Sequence, residues 1–343
     1  MARARFQLPR DSSASAAEYI GLLAQLHERM SRAVVANAFG GPEVVALVDV
    51  DDGSPGPGQI AVDVRAAGVN PADAKMYGGL FGTSLPLPMR LGMEASGVVT
   101  AVGDDAVGPR GPITVGDEVI LYRINGGYAD RVVVDARSAV PKPANMSFEQ
   151  AAGLMLTGAT AVHTLTATAV GQGDTVLIHG ASGGVGQMAI QLAVLRGARV
   201  IGTASPQRQD VVHALGAEPV TYGDGLANRV GLLAPDGIDA AIDAVGTDEA
   251  IDVSLQFVAD RSRITTIAAF ARGFEEGIKV LGGGPGADPG DDIRKAARLE
   301  LADLVGVGQL SVAVSAAYPL TQVADAHRAI LTGHTTGKIV LVP

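Results

Sequence analysis

The stretch Asp174-Thr-Val-Leu-Ile-His-Gly-Ala-Ser-Gly-Gly-Val-Gly186 decides the fold that the sequence predicts. Residues 175–178 form a short apolar run typical of a buried strand, and the apolar residues after the glycines recur at the spacing of a helix. A strand, a glycine-rich turn and a helix in this order are typical of a dinucleotide-binding unit. The alternative is an ordinary strand-to-helix turn that binds nothing.

Gly180, Gly183 and Gly186 recur at intervals of three. Such glycines permit a tight turn, a close approach of the backbone to a pyrophosphate, and close contact between helix and strand. Unpaired N–H groups and peptide dipoles at a helix N-terminus also favour bound phosphate. We therefore predict that the turn holds a pyrophosphate through Gly180, Ala181, Ser182, Gly183, Gly184, Val185 and Gly186.

The next predicted strand, residues 199–204, indicates which dinucleotide binds. An NAD site usually places Asp or Glu near the end of this strand to accept a hydrogen bond from the ribose 2′-OH. This chain has Ser205 there and no acid before Asp210, while Arg208 stands where a cation could meet a 2′-phosphate. The pattern favours NADP(H). The alternative is that Arg208 is a solvated residue at the start of a helix.

Composition limits the class of protein. The chain has 343 residues, 47% hydrophobic and 18% charged, which is typical of a globular protein of about two domains. A net charge of −10 argues against a nucleic-acid or anionic-membrane partner. The absence of cysteine excludes disulfides, thiolate catalysis and Cys-ligated zinc. Apolar runs fall short of the ~20 residues that span a bilayer, and we expect a cytoplasmic protein.

The chain changes character along its length. Residues 1–29 contain arginines and then an amphipathic helical pattern, which indicates either an N-terminal extension or an added leader. Residues 32–150 are short β-type runs separated by Gly- and Pro-rich turns, which predict a small β domain. From residue 174 to about 270, strands and helices alternate as in a parallel sheet covered on both faces.

Several further motifs occur in order along the chain. They are Gly68-Val-Asn-Pro-Ala-Asp73, Leu91-Gly-Met-Glu-Ala-Ser-Gly-Val-Val99, Val115-Gly-Asp-Glu-Val119, Gly126-Gly-Tyr-Ala129, residues 151–161, the glycine-rich turn, and Thr336-Gly-Lys-Ile-Val-Leu-Val342. Together they resemble the medium-chain dehydrogenase/reductase superfamily, and most of all its zinc-independent quinone oxidoreductases. The resemblance implies an α/β fold, with a GroES-like β-rich catalytic domain plus a Rossmann-type doubly wound parallel sheet. The GroES-like domain would comprise residues 30–155 and 309–343, and the NADP-binding domain residues 156–308. It also implies a homodimer, paired edge to edge near residues 277–281.

Zinc ligands are missing where the alcohol dehydrogenases of this superfamily place them. The corresponding positions are Asn70, Met93 and a third near Gly153, and none has the side chain of a zinc ligand. The histidines show no paired metal spacing; they are His27, His163, His179, His213, His327 and His334. We therefore predict no metal.

Without a Lewis acid, the sequence favours reduction of an acceptor that already disperses negative charge, such as a quinone or an enone. By resemblance, Ser205, Arg208 and Tyr222 hold the 2′-phosphate and its ribose, although Tyr222 could equally be a half-buried aromatic. Thr157, Val245, Ala268 and Phe270 would face the nicotinamide. In the cleft, Asn70 is the predicted amide donor and Lys75 the predicted cationic donor. The alternative for Lys75 is a solvated loop lysine.

Three functions stay open at this point. The first is an NADPH:quinone reductase and the second an enoyl or 2-alkenal reductase. Relatives often carry tyrosines where this chain has Lys75 and Phe81, which weakens the case for quinones in particular. The third is a dinucleotide-binding protein without catalysis, because a fold alone does not guarantee chemistry.

Overall fold

The computed structural model describes residues 30–343, and the predicted N-terminal extension lies outside them. Within this part of the chain, two large sheets carry most of the fold: a seven-stranded mixed sheet and a six-stranded parallel sheet. They are joined by helices and by the C-terminal segment. The structure confirms the predicted α/β class with a β-rich part and a Rossmann-type part.

The β-rich part contains most of the strands. They are β1 (Met30–Ala36), β2 (Val45–Asp51), β3 (Gln59–Val69), β4 (Met89–Arg90), β5 (Glu94–Val102), β6 (Val107–Gly108), β7 (Gly111–Pro112), β8 (Glu118–Tyr122), β9 (Arg131–Asp135) and β10 (Ala139–Pro141). One helix, α1 (Pro71–Tyr77), follows β3 directly. β1 pairs with β2 and β4 in a small sheet, and β6 pairs with β7.

The Rossmann-type part alternates helices and strands. It is preceded by α2 (Phe148–Ala152), which packs on β3 and β5 of the seven-stranded sheet. Its own elements are α3 (Met155–Ala167), β11 (Thr175–His179), α4 (Gly184–Leu195), β12 (Arg199–Ala204), α5 (Gln209–Ala214), β13 (Glu218–Thr221), α6 (Leu226–Leu233), β14 (Ala240–Asp243), α7 (Asp248–Phe257), β15 (Ile264–Thr266), α8 (Phe270–Glu275), β16 (Lys279–Val280) and α9 (Asp291–Gly306). The helical pattern of residues 148–168 is divided into two helices, because α2 ends at Ala152 with Gly153 as its C-cap.

The parallel sheet has the strand order β13-β12-β11-β14-β15-β16. The chain therefore runs outward from β11 on one side and then from β14 on the other, which creates a crevice between the carboxyl ends of these two central strands. Alternate residues of β11 enter different cores: Val176 and Ile178 pack on one face, and Leu177 packs on the other. Burial on both faces explains why the three central residues of this strand, 176–178, are all apolar.

The C-terminal segment returns to the β-rich part through β17 (Val314–Pro319), α10 (Val323–Leu331) and β18 (Lys338–Val342). β18 is antiparallel to β3, with Ile339 opposite Val69, and parallel to β17. The seven-stranded sheet therefore has the order β10-β8-β5-β3-β18-β17, and β9 also pairs with β3. Among residues 30–343, no helix combines the length and apolar character that crossing a membrane requires.

Candidate functional site

The glycine-rich turn lies between β11 and α4, at the carboxyl edge of the parallel sheet. Gly180 has a φ of 74°, a left-handed value that residues with a Cβ rarely adopt. Its N–H donates to Thr203 Oγ1 at 3.1 Å, and the N–H of Ala181 donates to the Thr203 carbonyl at 3.0 Å. The turn is therefore tied to the end of β12. All the predicted pyrophosphate contacts lie in this one continuous segment, residues 180–186.

Close packing between α4 and the turn depends on Gly186. A Cβ at this position would lie 2.3 Å from the carbonyl oxygen of Gly180 and 2.7 Å from Ala181 Cα. α4 begins at Gly184, and no side chain caps its N-terminus. Its first N–H groups and its dipole therefore favour an anionic ligand. The cradle fits the pyrophosphate of a dinucleotide.

The residues predicted to hold the ribose and 2′-phosphate lie at the ends of β12 and β13. Ser205 directly follows β12, and Tyr222 directly follows β13 with 48% of its surface exposed. Arg208 Nη2 donates to the carbonyl oxygen of His334, in the segment between α10 and β18. The first acid beyond β12 is Asp210, already on α5. The three predicted residues therefore border the same edge of the sheet.

Asp243 organises the backbone near the predicted nicotinamide position. Its Oδ1 accepts from the N–H groups of Val245 at 3.0 Å and Gly246 at 2.8 Å, and its Oδ2 accepts from Thr266 Oγ1 at 2.6 Å. Thr266 Oγ1 accepts in turn from the N–H of Ala268 at 3.1 Å. Val245 and Ala268 are thus held by one buried network. The sequence pattern assigns neither Asp243 nor Thr266 this role; the usable signal is a polar residue ending each of two neighbouring buried strands.

The β-type residues 263–270 predict a strand that ends at Phe270. In the structure Phe270 instead begins α8. β15 stops at Thr266, and the Thr266 hydroxyl accepts from the N–H of Ala269 at 2.9 Å, so the backbone turns before Phe270. Its ring lies against Gly282 and Gly284, where an added Cβ would be 3.2 Å and 2.2 Å from ring carbons. A contact between Phe270 and the cofactor stays a prediction.

The glycine-rich turn also contacts the β-rich part. The N–H of Gly337, directly before β18, donates to the carbonyl of Ser182 at 3.1 Å. Thr157 on α3 is buried, and its Oγ1 donates to the carbonyl of Gly153 at 2.8 Å. The Thr157 methyl carbon would lie 3.0 Å from a Cβ on Gly184. The predicted nicotinamide-side residue Thr157 therefore lies beside the turn, where the two large sheets meet.

Asn70, at the end of β3, belongs to a buried polar cluster. Its Nδ2 donates to Glu94 Oε1 and to the carbonyl of Gly68, both at 3.1 Å, and its Oδ1 accepts from Lys338 Nζ at 2.6 Å. Glu94 and Lys338 form an ion pair at 2.7 Å. The amide nitrogen already donates to two protein oxygens, so a direct role of Asn70 as donor to a substrate stays a prediction. Glu94 and Lys338 occur in the Gly-Met-Glu and Thr-Gly-Lys motifs, but their pairing has no signal in the sequence.

Lys75 lies on α1, five residues after Asn70. Its side chain is half-buried, and its ammonium makes no hydrogen bond or ion pair within residues 30–343. Burial lowers the pKa of Lys75 below the ordinary value of 10.5. A partly desolvated ammonium without a protein partner is suited to meet negative charge on a ligand.

A second buried cluster anchors α1. Tyr128 Oη donates to Asp73 Oδ2 at 2.8 Å, and the N–H of Asn70 donates to the same oxygen at 3.1 Å. Tyr77 Oη lies 2.7 Å from His327 Nδ1 on α10. Burial raises the pKa of Asp73 to about 6 and lowers that of His327 to about 4. These contacts fix the helix of the predicted catalytic lysine to β3 and to the C-terminal segment.

Comparison with known proteins identifies two family models in the chain. The model described as alcohol dehydrogenase GroES-like domain matches residues 56–144, and the model described as zinc-binding dehydrogenase matches residues 215–341. Quinone oxidoreductase of Pseudomonas aeruginosa is 33% identical over 334 residues, which cover 92% of this chain and 100% of the relative.

Two solved structures extend the comparison. The crystal structure of Escherichia coli quinone oxidoreductase complexed with NADPH is 28% identical, with a TM-score of 0.79 over 91% of this chain and 100% of that chain. The crystal structure of an NAD-dependent alcohol dehydrogenase is 32% identical, with a TM-score of 0.80 over 91% of this chain and 99% of that chain. This chain is therefore an oxidoreductase that uses a nicotinamide cofactor, and it belongs to the quinone oxidoreductase-like branch of the medium-chain dehydrogenase/reductase superfamily.

Proposed function

We propose that the chain reduces a quinone, or a similar conjugated carbonyl acceptor, with NADPH and without zinc. The observation that carries this proposal is that the side chains at the positions where zinc-dependent members of the superfamily hold their metal do not fit zinc. The similarity of the chain to quinone oxidoreductases supports the choice of acceptor. The half-buried Lys75 adds a cation that could stabilise the reduced acceptor.

The residues at the metal positions do not fit zinc. Met93 offers a thioether, Gly153, near the third position, offers no side chain, and the amide oxygen of Asn70 already accepts from Lys338 Nζ. Structural and catalytic zinc sites use Cys, His or carboxylate ligands, with at least three from the protein. Within residues 30–343, no group of three or more such side chains is placed to hold a metal ion. We therefore assign no step of the reaction to a metal.

The glycine-rich cradle fits a nicotinamide dinucleotide, which supplies a hydride when bound. The protein then has two tasks, to position the acceptor and to stabilise negative charge that develops on its oxygen. We assign the second task to the Lys75 ammonium, whose partial burial strengthens its interaction with an anion. Asp243 and Thr266 hold the turns at Val245 and Ala268 rigid, so the cofactor side of the crevice is preorganised.

NADPH is the proposed cofactor because the end of β12 offers Ser205 and Arg208 and no carboxylate. Arg208→Ala is expected to weaken NADPH binding about 10- to 100-fold, since a charge-assisted hydrogen bond to phosphate is lost. NADH lacks that phosphate, so its affinity should change little. Fluorescence titration of both cofactors measures the difference. Arg137→Ala, at an exposed arginine whose guanidinium pairs with Asp135, is the matched control. Equal wild-type affinity for NADH and NADPH would remove the basis of the assignment.

A second candidate function is reduction of the carbon–carbon double bond of an enone or alkenal. Lys75 and Phe81 stand where relatives often carry tyrosines, and an ammonium could stabilise an enolate oxygen as well as a phenolate.

The deciding assay follows cofactor oxidation with NADPH and NADH against quinones and α,β-unsaturated ketones, before and after chelator treatment. We expect metal-independent quinone turnover with NADPH. Turnover of enones alone would favour the second function, and NADPH binding without any turnover would favour a binding protein.

The same proposal assigns residues 30–155 and 309–343 to the acceptor side of the cleft and residues 156–308 to the cofactor side.

The predicted homodimer would use β16, which is the edge strand of the parallel sheet. Part of that edge is already occupied, because the N–H of Asp288 donates to the carbonyl of Val280 at 2.9 Å. The homodimer therefore stays a prediction from the family resemblance. The cytoplasmic location stays a prediction from the sequence.

A further inference from the structure

Lys338 is a buried lysine whose ammonium ends inside the protein. Only 3% of its surface is exposed, and Glu94 is fully buried. Lys338 Nζ lies 2.7 Å from Glu94 Oε1 and 2.6 Å from Asn70 Oδ1. Lysine is seldom buried in this way, because removing an ammonium from water is costly unless a counter-charge and hydrogen bonds replace the solvent.

The stem of Lys338 occupies the space left by two glycines. A Cβ on Gly153 would lie 2.9 Å from Lys338 Cγ, and a Cβ on Gly184 would lie 3.6 Å from Lys338 Cδ. Asn70 stands at one of the three positions that correspond to zinc ligands in the alcohol dehydrogenases, and another of the three lies near Gly153. The stem of Lys338 therefore lies beside one of these positions, and its ammonium binds the residue at the other.

The ammonium also balances the charge of Glu94. The carboxylate accepts from Lys338 and Asn70 through Oε1, and from the N–H of Leu156 through Oε2 at 2.8 Å. Three other buried ionisable groups lie close enough to the pair to interact with it electrostatically: Asp73, Tyr122 and Tyr128. Glu94 would thus be a buried anion without a counter-ion if Lys338 were neutral or absent, which is a strongly unfavourable arrangement.

We propose that Lys338 is a built-in cation that takes the place of a metal ion in this fold. Its ammonium links Asn70, directly after β3, to Glu94 on β5, and through the Glu94 carboxylate to the N-terminus of α3. It supplies positive charge at the centre of the site and fills the space beside Gly153. The site consequently needs no divalent cation and has no free carboxylate to bind one. This role of Lys338 rests on the zinc-free site of the proposed function, and it does not depend on which acceptor the protein reduces.

The test replaces the tethered ammonium with a free one. Lys338→Ala should lower the melting temperature by about 5–10 °C, because Glu94 loses its counter-charge. Methylammonium should then raise the melting temperature of this variant in a concentration-dependent manner, since a ligand that binds only the folded state stabilises it. Methanol, which is neutral and of similar size, should not. Neither compound should change the wild type in this way.

The double variant Lys338→Ala/Glu94→Gln is the control, because it removes the anion that would attract the amine. It should show no response to methylammonium. Recovery by methanol equal to that by methylammonium would indicate a packing role alone and would overturn the proposal. Stoichiometric zinc in the purified wild type, measured by mass spectrometry of its metal content, would overturn it as well.

A second set of variants serves if Lys338→Ala does not fold. Lys338→Met keeps the stem and removes the charge, and combining it with Glu94→Gln removes both charges. We expect the double variant to melt at a higher temperature than Lys338→Met alone, since a neutral pair carries no buried unpaired charge. The single variant Glu94→Gln completes the comparison, and simple additivity of Lys338→Met and Glu94→Gln would contradict the proposal. These melting experiments require no acceptor, so a failure of quinone reduction leaves their outcome unaffected.

Discussion

Gly186→Ala is expected to weaken NADPH binding at least ~100-fold, the largest loss that we expect from any single methyl group. The added Cβ would lie 2.3 Å from the carbonyl oxygen of Gly180, and both this oxygen and Ala181 Cα belong to backbone that cannot rotate away. To relieve the overlap, α4 must move away from the end of β11. That movement shifts the N–H groups that are proposed to bind the pyrophosphate.

Two other glycines provide a graded series. A Cβ on Gly183 would lie 3.3 Å from the Gly180 oxygen, which is a tight contact but a tolerable one, so Gly183→Ala should weaken NADPH binding less. A Cβ on Gly306, at the end of α9, meets no atom within 4 Å, and Gly306→Ala should bind NADPH as the wild type does. Circular dichroism establishes that each variant is folded, and fluorescence titration gives the affinities. A folded Gly186→Ala protein with wild-type affinity would exclude the cradle as the pyrophosphate site.

The glycine-rich turn is also the part of the site that the sequence predicts best. The strand, the turn and the helix are encoded by neighbouring residues, so periodicity and glycine spacing are enough to place residues 175–195. The limits of β8 and β18 follow in the same way, because each is an apolar run bounded by polar or turn residues. Local patterns predict local structure.

The central polar cluster could not be predicted in this way. Lys338 lies 244 residues from Glu94 and 268 from Asn70 along the chain, and no periodic signal links such distant positions. A lysine near the C-terminus is normally assigned to the surface, and a Glu within an apolar strand has several possible partners. Only the antiparallel pairing of β18 with β3 brings the lysine to the asparagine. Resemblance identified the motifs that contain these residues, but it did not identify their contacts.

The start of α8 shows a different limit. Residues 263–270 read as one β-type run, and the structure ends the strand at Thr266. The reason is a hydrogen bond that propensity does not include, because Thr266 Oγ1 accepts from the backbone N–H groups of Ala268 and Ala269. A side chain that competes for the backbone in this way turns the chain out of the sheet.

Lys75→Met is expected to lower kcat about 10- to 100-fold and to leave the affinity for NADPH nearly unchanged. The proposed role of the ammonium is to stabilise charge that appears only as the acceptor is reduced, so the loss should fall on kcat more than on KM for the acceptor. Lys295→Met, at an exposed lysine on α9, is the matched control and should retain wild-type activity. Equal kcat values for Lys75→Met and the wild type would show that the reaction does not need the ammonium, as expected for a solvated surface lysine.

The pH dependence separates a charge effect from a loss of packing. Burial lowers the pKa of Lys75 below 10.5, so the protonated form is lost at a lower pH than for an exposed lysine. If the reaction needs the ammonium, wild-type kcat should fall on the alkaline side at a pH below 10.5 and remain constant toward neutrality. Lys75→Arg keeps a group that stays charged throughout this range, and its alkaline limit should move upward. An alkaline limit that is identical in the wild type and Lys75→Arg would assign the titration to another group, because the two side chains differ most in the pH at which they lose their charge.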